Sequence, residues 1–80
     1  MRTKGPNKFN KPFFNLRCRY DLSQERLAMA LGVSRNLVWS IETGESYGKI
    51  NFWIDLQKRF NIPDEEMWQL IIGEENGKTV

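Results

Sequence analysis

Apolar side chains recur every three or four residues in separate segments of the chain, and short stretches rich in glycine, asparagine or serine divide these segments. This period is typical of amphipathic helices, whose apolar face packs on a core. The clearest apolar positions are Phe13, Leu16 and Tyr20, then Leu37, Val38 and Ile41, then Ile50, Trp53, Ile54, Leu56 and Phe60, and last Met67, Trp68, Leu70 and Ile71. Together with a helix between the first two groups, the pattern predicts an all-α, five-helix domain.

Capping residues indicate where the predicted helices begin and end. Ser23 and Ser34 can each accept a hydrogen bond from free backbone N–H groups at the start of the second and third helices. Gly32 fits the left-handed residue that ends the second helix, and Asn61 can end the fourth. Pro63, followed by acids, suits the start of a fifth helix. The second and third helices, joined by a turn at Gly32, have the pattern of a helix-turn-helix.

Charge is distributed unevenly along the chain, although the net charge is only +2. Residues 1–20 carry lysine and arginine but no acid, whereas residues 64–75 carry acids and no base. We expect residues 1–11 to form a flexible arm, residues 12–72 the folded domain and residues 73–80 a frayed tail. The basic residues of the arm are Arg2, Lys4, Lys8 and Lys11. They can neutralise phosphates or enter a minor groove, and the alternative is a solvated tail without a partner.

Composition limits the chemistry that the chain can support. With one cysteine, Cys18, and no histidine, it cannot form an internal disulfide or a metal site built on cysteine and histidine. We expect no metal, no cofactor and no enzymatic activity, because the acids at residues 64–66 are explained by a helix start. The first residues lack the apolar core of a signal peptide, and no apolar run approaches the roughly 20 residues of a membrane span. We therefore expect a cytoplasmic protein without a membrane or small-molecule partner.

The predicted third helix has two opposite faces. At about 100° per residue, polar side chains fall on one face and apolar side chains on the other. The polar face consists of Arg35, Asn36, Trp39 and Ser40. Arginine can form two hydrogen bonds with guanine and asparagine two with adenine, so this face fits base recognition in a major groove. Trp39 can contact thymine methyls or sugars, or it can pack on the arm or a neighbouring helix. For the polar residues of this face, the alternative is that they only contact solvent.

The residues around the turn resemble those of a known family. The matching positions are Leu22, Ser23, Gln24, Leu27, Ala28, Gly32, Val33, Ser34, Val38, Ile41, Glu42 and Gly44. Over roughly residues 13–72 the chain resembles the Cro and phage-repressor type of helix-turn-helix proteins, often called the XRE family. The resemblance implies a lambda-repressor-like DNA-binding domain that binds a two-fold operator as a homodimer. It also implies a structural ion pair between Arg17 and Glu42, and DNA contacts by Gln24, Arg35, Asn36 and Ser40.

Two further groups of residues are candidate phosphate ligands. Ser23 and Gln24 stand at the start of the second helix, where free backbone N–H groups can hold an anion. The alternative is that Ser23 and Gln24 only begin the helix and bind no phosphate. Tyr47, Gly48 and Lys49 follow the third helix, in a loop that the resemblance implies lies beside the DNA strand.

These observations favour a small transcriptional regulator, a repressor of the kind found in phages and mobile elements, that binds double-stranded DNA sequence-specifically as a dimer. The helix at residues 34–42 would enter the major groove. We expect Met67 and Trp68 to contribute to the dimer surface. The alternative is a protein-interaction module of the same fold, antitoxin-like or a partner of another regulator, with only weak DNA binding. Its contact residues would be exposed aromatics, namely Phe14, Trp39, Phe52 or Trp68.

Overall fold

Five α-helices make up the fold in the computed structural model, which describes residues 8–74. They are α1 (Lys11–Arg19), α2 (Gln24–Leu31), α3 (Arg35–Thr43), α4 (Ile50–Phe60) and α5 (Asp64–Ile72). No β-strand occurs within these residues, so the predicted all-α, five-helix class is confirmed. None of the described helices is both long enough and apolar enough to cross a membrane.

The predicted capping residues form the helix ends. The side chains of Ser23 and Ser34 each accept a hydrogen bond from the backbone N–H three residues further on, at 3.1 Å in both cases. Gly32 ends α2 in the left-handed conformation, with φ of 70°, and Asn61 ends α4 in the same conformation, with φ of 56°. Pro63 is the residue immediately before α5. These ends leave only residues 32–34 to connect α2 with α3.

All five helices contribute side chains to one core. Its fully buried members are Phe13, Leu16, Leu27, Val38, Ile41, Leu56 and Leu70. α3 packs against α2 and α1, while α5 packs against α1 and α4. The Phe13 ring meets the Trp53 ring edge-on, with 6.1 Å between centroids, and so joins α1 to α4. α3 is therefore packed against both of the helices that precede it.

The apolar faces of α4 and α5 differ from the prediction. Ile50 and Ile54 are exposed, at 67% and 41%, although both belong to the predicted apolar face. Trp68, which we expected at the surface, is 68% exposed. Phe52, which we expected on the surface, is instead buried. At about 100° per residue, Phe52 lies nearly opposite Ile50 and Ile54 on α4, so only one of these two apolar faces can enter the core. Met67 is also buried, which removes it from the expected dimer surface.

Residues 8–10 are packed on the domain and do not form a free arm. Lys11 is the first residue of α1, and Asn10 is only 3% exposed. The Asn10 side chain accepts a hydrogen bond from the Phe13 backbone N–H at 3.0 Å and donates one to the Leu70 carbonyl at 2.8 Å. Its backbone N–H donates to the Glu42 carbonyl at 2.7 Å. One asparagine thereby ties the start of α1 to the last turns of α3 and α5.

The predicted boundaries of the arm and the tail therefore move outward. Gly73 is buried as the left-handed residue that ends α5, and Glu74 forms an ion pair with Lys8 at 3.0 Å. Both belong to the folded part of the chain, as does Lys11. The predicted arm residues Arg2 and Lys4, and the predicted tail residues 75–80, lie outside the described residues.

Candidate nucleic-acid interface

The exposed side of α3 carries the principal candidate site. Local sequence fixes both ends of this helix, because Ser34 caps its start and Gly44 ends it with φ of 87°. Val38 and Ile41, on the inner side, are 0% and 1% exposed. The backbone of Lys8 lies so close to Gly44 that a Cβ there would overlap the Lys8 carbonyl oxygen. The helix is thus anchored on the core at its inner side and at its carboxyl end.

Arg35, Asn36 and Trp39 lie together on the outer side of α3, where they line an open depression. Arg35 and Asn36 are exposed, and Trp39 is 41% exposed. A guanidinium, a carboxamide and an indole therefore meet solvent within about one helical turn. This set offers hydrogen-bond donors, one acceptor and an apolar surface, which are the groups needed to contact base edges.

Ser40 does not share that exposed face, contrary to the helical-wheel expectation. It is only 5% exposed. Its carbonyl accepts hydrogen bonds from the backbone N–H groups of Glu45 and Ser46, at 2.8 and 3.2 Å, because the chain folds back over α3 after Gly44. The helical wheel could not include this covering, since it comes from a loop outside the helix. The Ser40 side chain accordingly belongs to a groove beside α3.

The groove runs between α3 and α4, with a volume of about 700 Å³. Its polar lining consists of Ser34, Asn36, Ser40, Ser46, Lys49, Asn51 and Asp55. Asn36 borders both this groove and the depression at Trp39. The structure therefore brings Lys49 and Gly48 of the loop to the same groove as Asn36 of α3. Ser23 and Gln24 line neither the groove nor the depression.

Hydrogen bonds hold the loop between α3 and α4 in place. The indole N–H of Trp53 donates to the Tyr47 carbonyl at 2.8 Å, and the Gly48 backbone N–H donates to the Ser46 hydroxyl at 3.1 Å. Lys49 follows as an exposed residue at the start of α4. The sequence indicated Trp53 only as a core residue. Trp53 follows Tyr47 by six residues, and this spacing does not predict that the indole holds the loop through a hydrogen bond.

The start of α2 presents a weaker candidate than the loop. The Ser23 hydroxyl is the acceptor of the helix cap, and Gln24, the first helical residue, is half-buried. Because the hydroxyl already holds a backbone N–H, a phosphate there would bind chiefly to the remaining free N–H groups of the first turn.

Arg17 and Glu42 form the ion pair that the resemblance implies. Arg17 Nε and Nη2 donate to the two carboxylate oxygens of Glu42, each at 2.9 Å, and Nη1 donates to the Leu22 carbonyl at 2.8 Å. The guanidinium also lies over the Phe14 ring, 5.3 Å from its centroid. The hydrogen bonds with Glu42 raise the pKa of Arg17 above its ordinary value, against the lowering effect of burial. The pair joins α1 to the last turn of α3.

The remaining charges near the site are mixed in sign. Glu45 is exposed in the loop, and Asp55 lines the groove opposite Asn36. Lys8 reaches Glu74, but both side chains are more than half exposed, so this surface pair contributes little and Lys8 can exchange partners. Among residues 8–74, no cluster of cysteine, aspartate and glutamate is arranged to hold a metal ion.

Comparisons with protein-family models, with curated protein sequences and with solved structures give no significant match.

Proposed function

We propose that this chain is a sequence-specific double-stranded DNA-binding protein, a small transcriptional repressor whose α2 and α3 act as a helix-turn-helix. In this proposal α3 enters the major groove and reads base edges with Arg35 and Asn36. The observation that carries the proposal is the two-sided character of α3. It is anchored on the core by Val38 and Ile41, while Arg35 and Asn36 stand free on the outer side.

Phosphate contacts on either side of α3 would set its position on the duplex. Lys49 and the backbone of Gly48 are the first candidates, because they border the groove that Asn36 also lines, and Tyr47 precedes them in the same loop. Lys8 adds a second basic position beside Gly44, at the carboxyl end of α3. A phosphate-binding role of the predicted arm residues Arg2 and Lys4 would extend this set of contacts. Its test is deletion of residues 2–7, which keeps Asn10 in place and should flatten the salt dependence of binding.

A homodimer is the second part of the proposal, and α5 offers the surface that supports it. Trp68 and Ile72, four residues apart, lie on one side of α5 and are 68% and 43% exposed. Exposed apolar side chains grouped in this way are common at protein interfaces. We expect sedimentation equilibrium of the wild-type protein to show a dimer that Trp68→Lys weakens. A monomer at tens of micromolar would restrict dimerisation to the DNA-bound state.

In vitro selection from random duplex DNA, at about physiological salt, tests the proposed function. We expect an inverted repeat bound at least about 10³-fold more tightly than its scrambled sequence. The double variant Arg35→Ala with Asn36→Ala should lose most of this preference while keeping the helical circular dichroism spectrum. Arg59→Ala is the matched control, because it removes a charge from the cleft between α2 and α4, away from the outer side of α3.

A protein-interaction module is the second candidate function, and the exposure of Trp68 favours it. If selection enriches no sequence and all binding is lost at raised salt, the DNA proposal is wrong and the apolar side of α5 becomes the leading site. Phe52 cannot serve such a module, because it is buried in the core.

A further inference from the structure

Trp39 is an unusual residue for the outer side of α3, and its position indicates a more specific ligand. Trp39 is 41% exposed. Within residues 8–74 its ring pairs with no other aromatic ring, and its indole N–H has no hydrogen-bond acceptor. It shares one depression with Arg35 and Asn36, at spacings of four and three residues. An indole left in water among polar groups gains free energy only when a partner covers it with apolar surface.

We infer that Trp39, with Arg35 and Asn36, forms a binding site for the C5-methyl group of a thymine close to a guanine. This inference rests on the proposed DNA-binding function and adds the identity of the bases. The thymine methyl is the apolar group that the base edges present in the major groove, where the other groups are hydrogen-bond donors and acceptors. It is therefore the group on a base edge that an indole can cover.

The guanine follows from the neighbouring arginine. Arg35 can form two hydrogen bonds with guanine O6 and N7, the commonest specific contact of an arginine with DNA. Trp39 lies four residues further along α3, about 6 Å along the helix axis, and bases on one strand are spaced by about 3.4 Å. The guanine and the methylated pyrimidine are then one or two base pairs apart. Asn36, between them on the helix, donates to or accepts from the adjoining base.

Replacement of single thymines by deoxyuridine in the selected duplex tests the inference, because it removes the methyl group and leaves base pairing intact. We expect deoxyuridine at one thymine near a guanine to lower the affinity of the wild-type protein about fourfold, the effect of burying one methyl-sized group. The same replacement should have no effect on Trp39→Ala. A double-mutant cycle that combines Trp39→Ala with the deoxyuridine replacement then measures the coupling between the indole and the methyl group directly.

Ile54→Ala is the matched protein control, because it removes an apolar side chain that is equally exposed, at 41%, but lies on α4, and it should retain the fourfold effect. As the DNA control, deoxyuridine replaces thymines outside the base pairs that α3 is proposed to contact. If no replacement changes wild-type affinity while the operator is still preferred over its scramble, the inference is wrong and the proposed function stands. If Trp39→Ala weakens operator and scramble equally, the indole contacts the sugar–phosphate backbone and the inference is again wrong. A protein without any sequence preference overturns both.

Discussion

Replacing Arg17 with methionine removes the guanidinium that holds Glu42, and it should destabilise the fold strongly. Methionine keeps most of the apolar stem of the side chain but none of its donors. Glu42 is only 4% exposed, and both of its carboxylate oxygens accept hydrogen bonds from Arg17. The variant therefore leaves a buried carboxylate without its cation, which costs far more than the ion pair contributes to stability.

The magnitude follows from the burial of the pair. Removing one partner of a buried ion pair typically costs about 3–5 kcal/mol. The Leu22 carbonyl also loses its donor, but Leu22 is half-buried and water can replace that bond. We expect the free energy of unfolding to fall by about 4 kcal/mol, which corresponds to a drop in Tm of roughly 15–30 °C for a domain of this size.

Urea denaturation followed by circular dichroism measures this loss, and Arg19→Met is the matched control. Arg19 lies two residues further along α1 and pairs with Glu66 at the surface, where its side chain is 52% exposed. The control should cost less than about 1 kcal/mol. The double variant Arg17→Met with Glu42→Leu should lose less free energy of unfolding than the two single variants lose together, by about 2 kcal/mol or more.

The contribution of the Arg17 charge in the wild-type protein should also be independent of pH over the neutral range. The pKa of Arg17 is raised above its ordinary value, so its contribution is fully present below that ordinary value and is lost only as the pH rises beyond it. Titration of the Arg17 guanidinium should thus leave the stability of the wild-type protein unchanged between about pH 6 and about pH 9. The reasoning is refuted if Arg17→Met costs no more than Arg19→Met, since the buried carboxylate would then need no cation.

Three further variants test the packing and the charge around α3. Gly44→Ala should lower the free energy of unfolding by more than about 2 kcal/mol, because the new methyl group overlaps the backbone of Lys8. Gly32→Ala, which has open space around it, should lower it by only about 1 kcal/mol. Equal urea midpoints for the two variants would contradict this prediction. In thermal unfolding, Asn10→Ala should lower the free energy of unfolding by about 2–3 kcal/mol, and the exposed cap variant Ser23→Ala should lower it by about 1 kcal/mol. The difference arises because Asn10→Ala removes both a helix cap and a buried hydrogen bond to another helix. Lys49→Ala should reduce the slope of log affinity against log salt by about 1, and an unchanged slope would remove Lys49 from the phosphate contacts.

The sequence by itself determined where α2 begins and ends and where α3 begins. Ser23, Ser34 and Gly32 act on backbone groups within one turn, so their effect is local and readable from residue order. Arg35 and Asn36 were likewise predictable as exposed residues, because an amphipathic period separates the two faces of α3.

Tertiary structure alone decided which apolar faces are covered and how the N-terminal segment is held. Ile54 fits a core position by spacing but stays exposed, while Ser40 fits an exposed position and is covered by the loop that follows α3. Asn10 bonds to Leu70, 60 residues away. Such contacts depend on how helices and loops meet in space, and the period of a single helix carries no information about the neighbour that covers it.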